Sequence, residues 1–205
     1  MQFTHYANKT IGMTAIAEEL LNVTQQAAIA AYPLIGKCDK LSADDAGTKA
    51  MRYHLNNVEM CGRIVIGEGE MDEAPMLYIN EEVGSGNGLD VDIAVDPIEG
   101  TNLMATGKDN SLAVLAAARR GCLLHAPDMY MKKIAVGPEA KGKIDLDAPL
   151  LDNMKAVAKA QGKDIRELTI MIQERDRHKD LINEVLLAGA KLKLFSDVDI
   201  TGAIG

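Results

Sequence analysis

One stretch of this sequence, residues 89–101, predicts a strand that ends in a tight acidic turn, and it constrains the fold more than any other. Its first half, Leu-Asp-Val-Asp-Ile-Ala-Val, alternates in polarity with a period of two, which predicts a strand. We expect the strand to end on Asp96, because Pro97 has no N–H to donate to a neighbouring strand. Glu99 follows within one turn, and a Gly-Thr pair comes directly after it. The pattern therefore places two carboxylates close together at a strand end.

Two acids held this closely repel each other unless a cation lies between them. Carboxylate oxygens suit a hard ion such as Mg²⁺ or Mn²⁺. The backbone N–H groups of Gly100 and Thr101 are placed to hold a phosphate oxygen beside that ion. The alternative is an ordinary acidic turn at the end of a strand, and the turn alone leaves both interpretations open.

A second acidic segment follows another strand-like run, Arg-Ile-Val-Ile at residues 63–66. Glu68 comes next, between two glycines, and Asp72 lies a few residues further on, where it could orient or deprotonate a water molecule. If the two strands are neighbours, their ends bring Glu68 close to Asp96, and Asp44, from the predicted start of a helix, could add a carboxylate. Such a group could hold two or three hard cations that activate water and neutralise a phosphoryl group. A solvated acidic loop and a simple helix N-cap remain the alternatives.

Composition limits the class of partner. The 205 residues make up one domain or somewhat more, and 47% hydrophobic residues are enough for a real core. The net charge of −8 and the absence of Trp argue against nucleic-acid binding, which requires a basic face and often stacked aromatic rings. Phosphorylated substrates stay possible, because bound divalent ions reverse the local field.

The cysteines and the apolar segments bear on the compartment. Cys38, Cys61 and Cys122 are odd in number and widely spaced, so neither a disulfide framework nor a zinc site is indicated. We see no signal peptide and no run of about 20 apolar residues that could span a membrane. We therefore expect a cytoplasmic protein with no membrane partner.

The remaining periodicity predicts an α/β protein. Helices are expected from Ile16 to Pro33, from Asp44 or Asp45 onward, over 150–160 and over 179–188, the last with Leu181, Val185 and Leu186 inward. Further strands are expected over 111–118, 123–127, 132–136, 168–172 and 191–195, with a strand or short helix at 76–83 and a hairpin-like segment at 137–147. Gly62 is expected to interrupt the regular secondary structure before the strand-like run at 63–66. Helix–strand alternation in the second half favours parallel pairing.

Three motifs together carry a specific resemblance. They are Ile-Gly-Glu-Gly-Glu-Met-Asp-Glu-Ala-Pro-Met at 66–76, Asp-Pro-Ile-Glu-Gly-Thr at 96–101 and His-Ala-Pro-Asp-Met-Tyr-Met at 125–131. In this order and spacing they resemble the class II fructose-1,6-bisphosphatase family. The second motif also resembles the wider lithium-sensitive phosphatase superfamily, which includes the inositol monophosphatases. The resemblance runs from about residue 20 to the last residue.

The resemblance implies an α/β fold of mixed α+β layers, the αβαβα sugar-phosphatase fold, with its second half incomplete. Residues 1–205 would form one sugar-phosphatase domain, with a metal-site half at about 12–135 and the start of a substrate-side half at about 136–205. It also implies Mn²⁺- or Mg²⁺-dependent hydrolysis of fructose 1,6-bisphosphate to fructose 6-phosphate and phosphate, a step of gluconeogenesis. We further expect a homo-oligomer, either a dimer or a tetramer.

The resemblance also assigns roles by position. The metal ligands would be Asp44, Glu68, Asp96 and Glu99; Glu99, Gly100 and Thr101 would hold the reacting phosphate; and Asp72 and Thr101 would position the attacking water, with Lys40 near the active site. On the substrate side the residues would be Tyr130, Arg175, Asp176, Arg177, Asp197, Val198 and Asp199. Without the resemblance, the two arginines read as solvated charges and Tyr130 as a packed ring.

Two departures from the family pattern produce alternative hypotheses. The family's Asp-Gly-Asp turn is here Asp197-Val198-Asp199. If the family's glycine needs a positive φ at this position, valine is strained there. The family's Lys-Pro-Arg is Arg-Asp-Arg here, and the family normally continues past residue 205 to a further glutamate ligand in a Gly-Ala-Pro-Glu-Gly segment. A truncated, weakly active or inactive homologue is therefore one alternative. A phosphatase for sedoheptulose bisphosphate or an inositol phosphate is the other.

Overall fold

The computed structural model describes residues 13–68, 77–127 and 129–204. The chain divides into two compact units, Met1–Pro127 and Asp128–Gly205, which we call unit 1 and unit 2. Helices and strands occur in both units, as expected for an α/β protein. No helix in the described ranges combines the length and the apolar character that crossing a bilayer requires.

Unit 1 is built on a four-stranded mixed sheet with helices packed against it. In chain order its elements are α1 (Ala17–Ala31), α2 (Lys40–Leu55), β1 (Met60–Ile66), β2 (Glu82–Val83), β3 (Leu89–Glu99), α3 (Thr101–Ala105) and β4 (Leu112–Arg119). The strand order is β2-β1-β3-β4, and β1 and β3 are parallel while both outer pairs are antiparallel. Because β1 and β3 are parallel neighbours, their carboxyl ends meet at one edge of the sheet.

The apolar residues of β3 explain why the sheet and helices pack. Val91 and Ile93 are completely buried and Val95 is 6% exposed. They join one core cluster with the inward residues of the first helix, among them Leu20, which follow the predicted spacing of three and four. Burying each such side chain contributes about 1.5–3 kcal/mol. This core fixes β3 in the centre of the sheet.

The alternate residues of β3 include a buried charge that the sequence analysis did not single out. Asp92 is 0% exposed, and it lies 3.1 Å from Arg63 Nη2 and 3.3 Å from Arg120 Nε. The backbone N–H of Gly121 also donates to it. A buried carboxylate is tolerated only when it is paired in this way.

The expectations for the start of α2 and for Gly62 are wrong. The second helix starts at Lys40 rather than at Asp44 or Asp45, because Asp39 caps it by accepting a hydrogen bond from the Ser42 backbone N–H at 3.0 Å. Gly62 lies inside β1 rather than breaking the chain. A Cβ there would lie 2.9 Å from Val83, so glycine allows β2 to approach.

The central strand also runs further than expected. It continues through Pro97 to Glu99, with a shift of its register against β4 between Asp96 and Glu99. The missing N–H of proline therefore produces a local irregularity and not the end of the strand. This irregularity leaves the two acids on one short, bent segment.

Unit 2 contains a two-stranded parallel sheet flanked by helices. Its elements are α4 (Leu150–Gln161), β5 (Thr169–Gln173), α5 (Lys179–Leu187), β6 (Lys191–Phe195) and α6 (Asp199–Ile204). Strands β5 and β6 pair in parallel, as the helix–strand alternation predicted. Its small core includes Met154, Leu168 and Val185.

Several expectations about the less regular segments are wrong. Residues 123–127 and 132–136 are not strands, and the segment 137–147 contains a short 3₁₀ turn, Pro138–Ala140, and no hairpin. A short apolar run forms a strand only where a partner strand supplies hydrogen bonds, and β5 and β6 pair with each other. In α5, only Val185 of the three predicted inward residues is buried, while Leu181 and Leu186 are 41% and 55% exposed.

Candidate active site

Four carboxylates of unit 1 converge at the carboxyl ends of β1 and β3. Glu68 follows β1, Asp96 and Glu99 lie on the bent end of β3, and Asp44 lies on the second turn of α2. The carboxyl group of Asp96 shares hydrogen bonds with those of Glu68 and Glu99, and Asp44 lies close enough to Glu68 to repel its charge. The parallel pairing of β1 and β3 therefore produces the proximity that the sequence pattern predicted.

Thr101 connects the helix to the turn after β3. Its hydroxyl lies 2.8 Å from Asp44 Oδ1 and 2.9 Å from the carbonyl oxygen of Ile98. The Ile98 backbone N–H in turn donates to Asp96 Oδ1 at 3.1 Å. Gly100, between them, has a φ of +77°, a conformation that glycine adopts without steric cost. These bonds hold the acids of α2 and β3 in a fixed relation.

The environment pushes these acids toward their neutral forms. Burial raises the pKa of Asp44, although the hydrogen bond from Thr101 and the charge of Lys40 act in the opposite direction. Burial also raises the pKa of Glu68, and the negative charges of Asp44 and Glu99 add to this effect. The pKa of Asp96 is likewise raised by burial. Full ionisation of the cluster is therefore disfavoured, because the carboxylates are partly buried and lie close to one another.

The chemistry of this donor set fits a hard divalent cation. A hydrogen bond between two carboxyl groups requires a shared proton, and a divalent ion could take the place of that proton and remove the repulsion. Within the part of the chain that the structure describes, no three acidic, histidine or cysteine side chains are already arranged to hold an ion. Asp72, the predicted water-orienting acid, lies outside the described residues.

The predicted substrate-side residues lie in unit 2, after the ends of the parallel strands β5 and β6. The Arg177 guanidinium carbon lies 4.5 Å from the centre of the Tyr130 ring, a cation–π contact. Arg175 Nη2 lies 3.4 Å from Asp197 Oδ1. Asp176 instead pairs with Lys179 at 2.8 Å, and its side chain is 95% exposed.

The turn after β6 contains the strain that the sequence led us to expect. Val198 has a φ of +67° and is 1% exposed. Next to it, Asp199 pairs with Lys133, a lysine that the sequence analysis did not identify. Only its position shortly after Tyr130 could have indicated it, because a pair of lysines beside an apolar run is typical of protein surfaces.

The chain is similar in sequence to one known family and to several known proteins. The sequence profile of a family described as "Bacterial fructose-1,6-bisphosphatase, glpX-encoded" matches residues 14–205. "Fructose-1,6-bisphosphatase 1 class 2" of Escherichia coli (strain K12) is 53% identical over 189 residues, which cover 92% of this chain and 56% of that protein.

Cyanobacterial proteins are similar to the same extent. "D-fructose 1,6-bisphosphatase class 2/sedoheptulose 1,7-bisphosphatase" of Parasynechococcus marenigrum (strain WH8102) is 53% identical over 189 residues, 92% of this chain and 57% of that protein. The protein of the same name from Synechococcus elongatus (strain ATCC 33912 / PCC 7942 / FACHB-805) is 49% identical over 208 residues, 96% of this chain and 59% of that protein. The chain therefore spans somewhat more than half the length of these relatives.

Proposed function

The chain belongs to the bacterial fructose-1,6-bisphosphatase family, and from this premise we propose that it acts as a metal-dependent phosphate monoester hydrolase on fructose 1,6-bisphosphate. The observation that supports the proposal is the convergence of four carboxylates at the ends of β1 and β3, where burial raises the pKa of Asp44, Glu68 and Asp96. Such a cluster destabilises the fold at neutral pH while no cation is bound. Groups with perturbed pKa values are also typical of functional sites.

Asp44, Glu68, Asp96 and Glu99 are the proposed ligands of Mg²⁺ or Mn²⁺. When bound, the ions would supply Lewis-acid stabilisation of the phosphoryl oxygens and a water molecule of lowered pKa. The backbone N–H groups of Gly100 and Thr101 would hold the reacting phosphate, because the left-handed conformation of Gly100 turns the backbone of this segment. The Thr101 hydroxyl, already bonded to Asp44, would orient the attacking water together with Asp72.

Lys40 has a more limited role in this proposal. Its charge acts on Asp44 and lowers the pKa of that carboxyl, although burial outweighs it. Lys40 would therefore keep Asp44 more ionised than burial alone allows, which favours the form that binds an ion.

On the substrate side, Tyr130, Arg175 and Arg177 would hold the phosphate that is not hydrolysed. Arginine is suited to this role because its planar guanidinium can bind two phosphate oxygens at once. The turn at 197–199 would face the sugar hydroxyls with two carboxylates. Asp176 was predicted to take part through its position in the family motif, and its backbone remains a candidate for this contact.

The proposal also includes the boundaries of the two sides of the site, the compartment and the oligomeric state. We assign about 12–135 to the metal side and about 136–205 to the start of the substrate side. We also propose a cytoplasmic homo-oligomer, a dimer or a tetramer. Sedoheptulose 1,7-bisphosphate is a second candidate substrate, because similar cyanobacterial proteins carry that activity in their names.

The test is phosphate release from fructose 1,6-bisphosphate by the 205-residue chain, with Mg²⁺ and Mn²⁺ added separately. We expect metal-dependent release that Asp96→Asn lowers at least about 100-fold, since the loss of a proposed metal ligand should cost no less than the loss of a residue that merely supports one. Asp90→Asn, on the same strand and away from the cluster, is the matched control and should retain activity. Absence of release from a chain shown to be folded would contradict the proposal and favour the weakly active or inactive homologue.

A further inference from the structure

We propose that Lys133 is a further substrate-binding residue, which contacts the phosphate group that stays on the sugar after hydrolysis. The inference rests on the proposed function and adds a third cation to the proposed phosphate site of Arg175 and Arg177. It comes from the contacts of the irregular segment 129–134, to which the sequence pattern assigned no role beyond Tyr130.

Two side-chain contacts of this segment reach both strand ends of unit 2. The Tyr130 ring lies under Arg177, which follows β5, at 4.5 Å. The Lys133 ammonium pairs with Asp199, which follows β6. Because β5 and β6 are parallel, the residues that follow them lie at the same edge of the sheet. Lys133 is therefore anchored at the same edge as the proposed phosphate-binding arginines.

The charges at this edge are paired but remain accessible to a ligand. The side chains of Lys133 and Asp199 are 59% and 43% exposed, and those of Arg175 and Asp197 are 34% and 35% exposed. Ion pairs this exposed contribute little to stability, so they can exchange partners at small cost. A phosphate group would attract the two cations, and sugar hydroxyl groups could donate to the carboxylates. Both pairs thus hold side chains near a ligand before it arrives.

The chain offers a matched control in the adjacent residue. Lys132 is also an exposed lysine and has the same charge, but no ion pair within the described residues joins it to the turn at 197–199. If the effect of Lys133 were only its contribution to net charge, Lys132→Met and Lys133→Met would weaken ligand binding equally. If Lys133 contacts the phosphate, only the second variant would do so.

The experiment measures binding of fructose 6-phosphate by calorimetry, with thermal unfolding of each variant as a check on folding. We expect Lys133→Met to weaken binding about tenfold, the equivalent of about 1.4 kcal/mol. Lys132→Met should stay within about twofold of the unsubstituted chain, and Lys133→Arg, which keeps the charge, within about threefold. Equal affinity of Lys133→Met and Lys132→Met would overturn the inference.

A double-mutant cycle separates direct contact from positioning. In an Asp199→Asn background, Lys133→Met should still weaken fructose 6-phosphate binding, because the phosphate contact persists. Loss of the effect in that background would mean that Lys133 acts only through Asp199, which contradicts the inference. Failure of the unsubstituted chain both to bind fructose 6-phosphate and to hydrolyse the bisphosphate would overturn the proposed function and the inference together. Hydrolysis with an unaffected Lys133→Met variant would overturn the inference alone.

Discussion

The turn after β3 and the turn after β6 share a backbone conformation but place different residues at its centre. Gly100 has a φ of +77° and Val198 a φ of +67°. Each precedes a short helix, and in each a threonine hydroxyl lies within hydrogen-bond distance of a carbonyl oxygen: Thr101 from Ile98 at 2.9 Å and Thr201 from Val198 at 2.8 Å. The first turn has the residue that its conformation favours, and the second does not.

The two turns show that the same backbone conformation can serve two purposes. Glycine takes a positive φ without steric cost and leaves the backbone open to a ligand. A β-branched residue in that region costs about 1–3 kcal/mol. The Val198 side chain is 1% exposed, and such burial contributes about 1.5–3 kcal/mol, which is comparable to this cost. The first turn is therefore suited to ligand contact, whereas the second also serves packing.

Gly100→Val should have the largest effect, because it puts the residue of the second turn into the first. We expect a loss of about 2–3 kcal/mol in the free energy of unfolding and loss of metal-dependent phosphate release, measured by urea denaturation and by the phosphatase assay. Gly86→Val is the control, since Gly86 also has a φ of +77° and nothing lies within 4 Å of a Cβ built there. That control should lose similar stability yet keep activity. Equal activity of the two variants would contradict a role for the Gly100 backbone.

Val198→Gly and Val198→Ala should have a smaller effect than Gly100→Val. We expect an unusual order of stability between the two variants. Both remove the buried methyl groups, but only glycine relieves the strain of the positive φ. We expect the glycine variant to be more stable than the alanine variant by about 1 kcal/mol in urea denaturation. At an ordinary position with negative φ, alanine would be the more stable by about 0.5–1 kcal/mol. The ordinary order at position 198 would show that the valine is not strained.

The smallest predicted effect is a dependence of stability on pH that comes from the carboxylates at the ends of β1 and β3. Burial raises the pKa of Glu68 and Asp96 above the ordinary value near 4. Between the two values the unfolded chain releases protons that the folded chain keeps, so the metal-free protein loses stability as the pH rises through that window. The contribution is fully present only below about pH 4.

The comparison of Asp96→Asn with the unsubstituted chain separates the contribution of Asp96 to this pH dependence from those of the other titrating groups. The variant cannot ionise at this position, so its free energy of unfolding relative to the unsubstituted chain should increase between pH 4 and pH 7, on the order of 1 kcal/mol. The measurement is metal-free urea denaturation at several pH values. A constant difference across this range would show that the Asp96 carboxyl is not held near its neutral form in the folded chain.

The sequence was sufficient for the features that depend on local pattern. The period of two over residues 89–95 predicted the central strand, and the spacing from Leu20 to Ala27 predicted the inward face of α1. The proximity of Glu68 and Asp96 required only that two strand ends be neighbours, which parallel pairing provides. The resemblance to a known family then supplied the proposed roles of these acids.

The features that the sequence could not provide depend on contacts between distant residues. The bond from Thr101 to Asp44 joins residues 57 positions apart, and the pair of Lys133 and Asp199 joins residues 66 positions apart. No local pattern encodes such contacts. The wrong start of α2 has a different cause: Asp39, Asp44 and Asp45 are all plausible caps, and only the Ser42 N–H shows which one is used.

The carboxylates that repel each other at the ends of β1 and β3 have an evolutionary consequence. Each acid with a raised pKa opposes folding at neutral pH, so a mutation that removes one makes the metal-free fold more stable while, under the proposed function, it impairs ion binding. Selection for stability and selection for the proposed hydrolysis would therefore act in opposite directions on the same few positions. In a lineage released from selection for hydrolysis, these acids should be among the first residues to be replaced, well before the apolar core.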